Sequence, residues 1–320
     1  MMSRDVNGWG LDVSESQQEE PGRPGRRAVL LAGAASGMAA AAFTAGELGG
    51  ASWSDWSSSL LRRSAGTAYA APLTGPGVTR IERVHSHARG RDVTLVLILP
   101  TAHPPRGMPM SLLLHGLHGS ARGAAPGGLL RRLGTQVTAG AVPPYGFVAV
   151  DGGNSYWHEH HRGDDPMGML LEEVPRWLRE RGLGGRAGRP FACTGTSMGG
   201  FGALLYARRR NERRDPLAAV AAISPALMTS WEEMRKRNAF HNEADWASMD
   251  PLRHIHATRN VPTAVWCGTE DPFITGTRRF IRRAQPEIGH IAPGGHDGEF
   301  FRSTVPGLVG FLGRHVRRGR

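Results

Sequence analysis

The sequence predicts an α/β fold, a mostly parallel sheet covered by helices on both faces. Two observations carry that expectation. Short, solidly apolar runs at 110–114, 146–151, 218–224 and 261–267 read as strands buried on both faces. They alternate with helix candidates at 129–138, 167–179, 276–283 and 304–317, and strand-helix alternation implies a parallel sheet with two helical layers. A third observation concerns chemistry. One further strand, beginning near Pro190, turns at once into a helix through Gly195-Thr196-Ser197-Met198-Gly199.

That turn organises the rest of the chain. A strand that reverses directly into a helix holds its central residue in a strained backbone conformation, and side chains two positions before and after would collide. Glycine at 195 and 199 is therefore a steric requirement, and Gly200 adds room where the helix crosses its neighbours. The chain contains 44 Gly, so the pentapeptide alone is weak. With a strand before it and a helix after it, it reads as a nucleophile elbow presenting Ser197.

A serine hydroxyl needs a base to take its proton, and the base needs an orienting carboxylate. With this architecture the order along the chain is serine, acid, histidine. Trp266-Cys267-Gly268-Thr269-Glu270-Asp271-Pro272 places an acid just past a strand, and Asp271 is chosen with Glu270 in reserve. Pro293-Gly294-Gly295-His296-Asp297 supplies the histidine in a loop before the last helix. Of 14 His, His290 falls within a strand (287–291) and His315 within the closing helix. Two backbone N–H groups should face the developing negative charge. Met198, following the nucleophile, is one, and Leu117, in the loop after strand 110–114, is the other. His115, His118 and the run His158-Glu159-His160-His161 suggest a metal, but the chemistry needs none, and no cofactor is expected.

At 79–87 and 92–99 two strands joined by Arg89-Gly90-Arg91 open the domain, the second with one face buried and one partly covered. The stretch 229–257 is polar, with Trp231, Phe240 and Trp246 among charges. It is expected to form a helical wall of the site and to set specificity. Trp157, Trp231 and Trp246 could stack on carbohydrate. Cys193 and Cys267 fall on strands separated by a third, with neighbouring strands roughly 4.8 Å apart, so no disulfide is expected.

The chain of 320 residues carries a net charge of +11, almost all of it arginine, since Lys236 is the sole lysine. The arginines are scattered and no nucleic-acid motif accompanies them, so an anionic envelope surface suits the charge better than nucleic acid. Residues 1–70 read as a leader before one domain, 71–320. Arg26-Arg27 heads the weakly apolar run 28–45, as in a twin-arginine export signal, and Ala68-Tyr69-Ala70 offers a cleavage site. The run could instead remain as an anchor. A secreted or envelope-associated location follows.

Together these residues resemble the serine esterase branch of the α/β-hydrolase superfamily, nearest the group of esterase D, antigen 85 and the feruloyl esterases. The match rests on His115-Gly116-Leu117, Gly195-Thr-Ser-Met-Gly-Gly-Phe-Gly-Ala-Leu204, Asp250-Pro251-Leu252, Cys267-Gly-x-x-Asp271 and Gly294-Gly-His296, and runs from about residue 79 to 312. The resemblance implies a carboxylic ester hydrolase with Ser197 as nucleophile, His296 as base and Asp271 as orienter. Leu117 and Met198 would be the oxyanion donors, and the substrate a small-molecule, lipid or carbohydrate ester. Some members of the group transfer acyl chains to sugars, which makes an acyltransferase the alternative. The antigen 85 members carry an acid where His115 stands, so mycolyl transfer is not implied. A non-catalytic binding protein on the same fold is the third reading.

Overall fold

A computed structural model describes residues 77–316. The leader features at Arg26-Arg27, 28–45 and Ala68-Tyr69-Ala70 lie outside the described residues. No helix among the described residues is long and apolar enough to cross a membrane.

Eight strands form one sheet: β1 (Val78–Ser86), β2 (Arg91–Leu99), β3 (Met110–Leu114), β4 (Gly146–Val150), β5 (Ala192–Thr196), β6 (Ala219–Ile223), β7 (Thr263–Gly268) and β8 (Ile288–Ala292). Their spatial order is β1-β2-β4-β3-β5-β6-β7-β8. The β1-β2 hairpin and the β2-β4 pair are antiparallel, and every later pair is parallel. The expected α/β class is therefore what forms.

Alternating side chains send two separate cores to the two faces. On one face Leu95, Leu97, Leu112, Val148, Val220 and Val265 pack against α3 (Met198–Glu212) through Phe201, Leu204 and Leu205. On the other, Val96, Ile98, Leu113, Phe147 and Ala221 pack under α1 (Leu129–Thr138) and α8 (Val305–His315). Residues Val93–Leu99 are thus buried on both faces, where partial cover of one face was expected. Leu129, Leu133 and Val137, spaced by four, make the buried stripe of α1.

One helical segment departs from expectation. Residues 167–179 form no single α-helix. A turn at Pro166–Gly168 leads into a π segment, Met169–Glu173, and then α2 (Val174–Glu180). Pro175 has no N–H for the carbonyl of Leu171, and wider turns occur where the ladder is interrupted in this way. The π segment turns Glu173 inward, where it accepts from Ser86 Oγ (2.5 Å), His87 N (2.8 Å) and Ala88 N (3.2 Å) and ties down the β1-β2 turn. The closing helix forms where expected, as α8, and a short helix that the sequence reading did not include, α7 (Gly298–Ser303), precedes it with Thr304 between them.

The stretch 229–257 holds α4 (Trp231–Arg235) and α5 (Glu243–Met249), and α6 (Ile274–Ala284) follows β7. Asp250, after α5, is 3 % exposed and accepts from Leu252 N at 2.9 Å. Burial pushes its carboxyl up to about 6, against the hydrogen bond from Leu252 N and the nearby charges of Arg253 and Arg279. A carboxyl raised on folding stabilises most below its unfolded value near 3.8, and that contribution is lost as pH rises through about 6. Thermal melts should therefore show the wild type losing stability relative to Asp250→Asn over that window. A difference independent of pH would contradict the assignment.

Candidate active site

Ser197 sits at φ 59° and ψ −120°, between the end of β5 and the first residue of α3. The turn is possible because three glycines leave no side chains in its path. A Cβ at Gly195 would lie 2.1 Å from the Gly199 carbonyl oxygen, one at Gly199 would lie 2.1 Å from that of Leu114, and one at Gly200 would lie 2.9 Å from Pro225 Cα. The Ser197 N–H donates to Ile223 O at 2.9 Å, and Ala226 N donates to Ser197 O at 3.0 Å. These bonds fasten the elbow to the end of β6.

Ser197 Oγ lies 2.9 Å from His296 Nε2, and His296 Nδ1 lies 2.8 Å from Asp271 Oδ2. The other Asp271 oxygen accepts from Phe273 N at 2.8 Å. Burial opposes ionisation of Asp271, but the hydrogen bonds from His296 and Phe273 N outweigh it and hold the carboxyl below its usual range. An ionised Asp271 keeps the imidazole proton on Nδ1, leaving the Nε2 lone pair toward Ser197 Oγ. Glu270, the reserve acid, is exposed, and its N–H donates to Gly294 O at 3.0 Å.

The histidine loop is held to the acid loop backbone to backbone. Thr269 N donates to Ala292 O at 2.9 Å, and a Cβ at Gly268 would fall 2.1 Å from Gly294 O. Phe273 and Phe301 set their rings edge-on to His296, at 5.1 and 5.2 Å between centroids. His290 lies in β8, and His315 in α8 pairs with Glu287 Oε2 at 2.8 Å.

Opposite His296 runs the loop after β3. Met198 is the first residue of α3, so its N–H has no intrahelical acceptor. Leu117 lines the same cleft as Ser197. The loop's shape depends on Asn154 and Asp151, which sequence reasoning did not single out. His118, at φ 58°, donates its N–H to Asn154 Oδ1 at 2.8 Å. Asp151 accepts from Thr94 N at 2.9 Å and Ala121 N at 2.8 Å. Burial raises its carboxyl, but these bonds more than offset it and hold it below the usual range. Their only sequence signal is position, in a loop at the end of β4.

The histidines suggestive of a metal have other work. His115 is 2 % exposed, donates from Nδ1 to Gly116 O at 2.8 Å and accepts at Nε2 from Gly152 N at 2.9 Å. Burial pushes its pKa down, so it is neutral, in keeping with that pattern. His158 donates to Ala239 O at 2.7 Å and stacks on Phe240. No group of three or more His, Cys, Asp or Glu among the described residues is placed to hold a metal ion. Cys193 and Cys267 are buried free thiols on β5 and β7, with β6 between them.

Two expectations about the walls are overturned. Trp157 and Trp246 are 0 % and 2 % exposed, so neither can stack on a sugar. Trp157 wedges between Gly152 and Gly202, where a Cβ on either glycine would lie 2.3 or 2.4 Å from its ring. Trp246 stacks on Trp231, which packs against the same core. Burying large aromatic area outweighs leaving it in water for a ligand. The stretch 229–257, expected to be a wall, contributes only Arg237 to the cleft lining. Residues 115–127 and 272–273 line most of the cleft instead, because the segment turns its apolar residues into the core. The cleft holds about 570 Å³. A larger groove of about 1330 Å³ shares Ala125, Pro126 and Gly127 with it but contains none of Ser197, His296 or Asp271.

Comparison with known proteins bears on the family and the fold. The Esterase family model matches residues 86–304. Among solved structures, a ferulic acid esterase superposes with a TM-score of 0.62 at 21% identity, covering 75% of this chain and 100% of its own. An S-formylglutathione hydrolase from Agrobacterium tumefaciens gives 0.60 at 15%, covering 79% and 99%. MPT51 of Mycobacterium tuberculosis gives 0.58 at 17%, covering 76% and 100%. At these identities the likeness is one of fold, the α/β-hydrolase fold. No curated protein matches by sequence. The family match spans most of the chain, and the protein belongs to the Esterase family, as a serine carboxylic ester hydrolase.

Proposed function

We propose that the protein hydrolyses carboxylic esters through a Ser197-His296-Asp271 triad and an acyl-enzyme. The observation that carries this is the unbroken chain from Ser197 Oγ to His296 to a buried Asp271, at 2.9 and 2.8 Å. It lies beyond the carboxyl ends of parallel strands, where open α/β sheets place their ligands.

Ser197 Oγ attacks the ester carbonyl carbon while its proton passes to His296 Nε2. The carbonyl oxygen becomes an oxyanion facing the N–H groups of Leu117 and Met198. Asp271 stays ionised and stabilises the imidazolium. As the tetrahedral intermediate collapses, the C–O bond to the alcohol breaks and the alcohol leaves with the proton from Nε2. Water then repeats the sequence on the acyl-enzyme, releasing the acid and restoring Ser197. A sugar or lipid hydroxyl in place of water gives acyl transfer.

A fluorophosphonate probe is expected to label the full chain on the peptide containing Ser197, and 4-nitrophenyl esters from acetate to palmitate to be turned over. Absence of both in folded protein would favour a binding protein with an idle triad. More transfer than hydrolysis on adding a sugar acceptor would favour the acyltransferase.

The reading includes export to the envelope or beyond, supported by Arg26-Arg27 before the run 28–45 and by the net charge. Arg278, Arg279, Arg282 and Arg283 on α6 are exposed and form no ion pair among the described residues, which suits an anionic envelope surface. Cell fractionation of Arg26→Lys/Arg27→Lys beside wild type tests export by the twin-arginine machinery.

A further inference from the structure

The cleft around Ser197 is electrostatically one-sided. Its lining includes the cation Arg237 and no aspartate or glutamate. Asp271 is turned away into its bonds with His296 and Phe273 N. Asp297, beside the histidine, is exposed and outside the lining, and its Oδ1 accepts from the N–H groups of Glu299 and Phe300, both at 2.9 Å.

Arg237 is the one arginine in the cleft lining, and it is exposed. Arg89 and Arg210 are buried and paired, with Asp164 and Asp215. The Arg237 guanidinium forms no ion pair or hydrogen bond among the described residues. Its backbone, however, is fixed. Arg237 N donates to Met234 O at 2.9 Å, Asn238 follows at φ 50°, and Ala239 and Phe240 are buried at 1 % and 5 % exposure. The Ala239 carbonyl is held in turn by His158.

Tyr156 is 1 % exposed overall yet contributes to the lining of the same cleft, and its hydroxyl has no hydrogen-bond partner among the described residues. Its ring is locked against Phe201 and Phe240, at 5.2 and 5.7 Å between centroids. Burial pushes the phenol up to about 12, with the charge of Arg237 acting against the shift, so Tyr156 is a protonated donor within the field of that guanidinium. An unpaired guanidinium fork and a free phenol O–H, in a cleft without carboxylates, supply the donors that a carboxylate accepts.

We infer that Arg237 and Tyr156 form an anion subsite in the cleft, and that the preferred substrates are esters carrying a second, ionised carboxylate. This rests on the ester-hydrolase reading and names its substrate class. The subsite acts on binding, so its removal raises KM more than it lowers kcat.

Two matched pairs of substrates test it. For an anion on the acyl side they are 4-nitrophenyl hexanoate and the mono-4-nitrophenyl ester of hexanedioic acid. For an anion on the alcohol side they are 4-acetoxybenzamide and 4-acetoxybenzoate. The wild type is expected to prefer the anionic member of one pair. Arg237→Gln should lower kcat/KM for that substrate about tenfold, equivalent to about 1.4 kcal/mol, and leave its neutral partner within about twofold. Arg237→Lys should retain part of the preference as a point charge without a fork, and Tyr156→Phe should lose a smaller part. A preference unchanged by Arg237→Gln, or absent from both pairs, overturns the subsite while leaving the esterase standing. If none of the four is hydrolysed, the esterase reading is what fails. Calorimetric binding of 4-acetoxybenzoate and 4-acetoxybenzamide to Ser197→Ala then reads the subsite directly. Equal affinities overturn it, and tighter anion binding that Arg237→Gln abolishes supports it.

Discussion

Ser197→Ala is expected to lower kcat by at least about ten-thousand-fold on any 4-nitrophenyl ester, with the fold and substrate binding intact. Alanine keeps the Cβ that serine already places at φ 59°, so the elbow bears no new strain. Only Oγ is lost, and with it the atom 2.9 Å from His296 Nε2. His296→Ala should lose about as much, since an unactivated hydroxyl is a poor nucleophile. The double variant should lose little more than either single one, because the two groups act in one proton transfer and their effects do not multiply. Losses that multiplied, or turnover surviving in Ser197→Ala, would mean that another group carries the chemistry. Melting temperatures measured alongside separate lost chemistry from lost fold.

Asp271→Asn should leave KM nearly unchanged and lower kcat by about ten-thousand-fold. The reason lies in how the carboxylate is shared. One oxygen is claimed by Phe273 N–H at 2.8 Å, and the other accepts from His296 Nδ1. In asparagine the single oxygen goes to Phe273 N, which leaves the NH₂ group facing Nδ1. A donor there forces the imidazole proton to Nε2, toward Ser197 Oγ, where the base can no longer accept. Geometry is preserved and the tautomer is wrong. A fall of less than tenfold would remove Asp271 from the role of orienter, and the exposed Glu270 would then need testing.

Much of the fold was legible because local physics decided it. Strand Met110–Leu114 and helix Leu129–Thr138 form with the bounds read from their apolar patterns. A solid apolar run between turns has few alternatives, and neither does a four-residue stripe. The elbow was legible for a steric reason, since any Cβ at Gly195 or Gly199 would stand 2.1 Å from a carbonyl oxygen. Chain order then led to Asp271 and His296. That Ser197, His296 and Asp271 meet within hydrogen-bonding distance is a fact of the assembled sheet.

Other features depended on contacts that no local pattern encodes. The π segment exists with Glu173 reaching the β1-β2 turn, more than eighty residues earlier in the chain. Trp157 and Trp246 look like ligand platforms among polar neighbours, yet Trp157 is enclosed by Gly152 of its own loop and Gly202 of α3, and Trp246 by Trp231 of α4. His115 reads as a loop histidine and is buried by a bond to Gly152. The polar stretch 229–257 delivers one side chain to the cleft, Arg237, and its neighbour there, Tyr156, comes from another loop. The sequence by itself determined the α/β class, the elbow and the order of its candidate partners, because backbone sterics and periodicity act over a few residues. Only the tertiary structure decided which side chains surround the serine, because burial and charge are settled among residues that the chain keeps far apart.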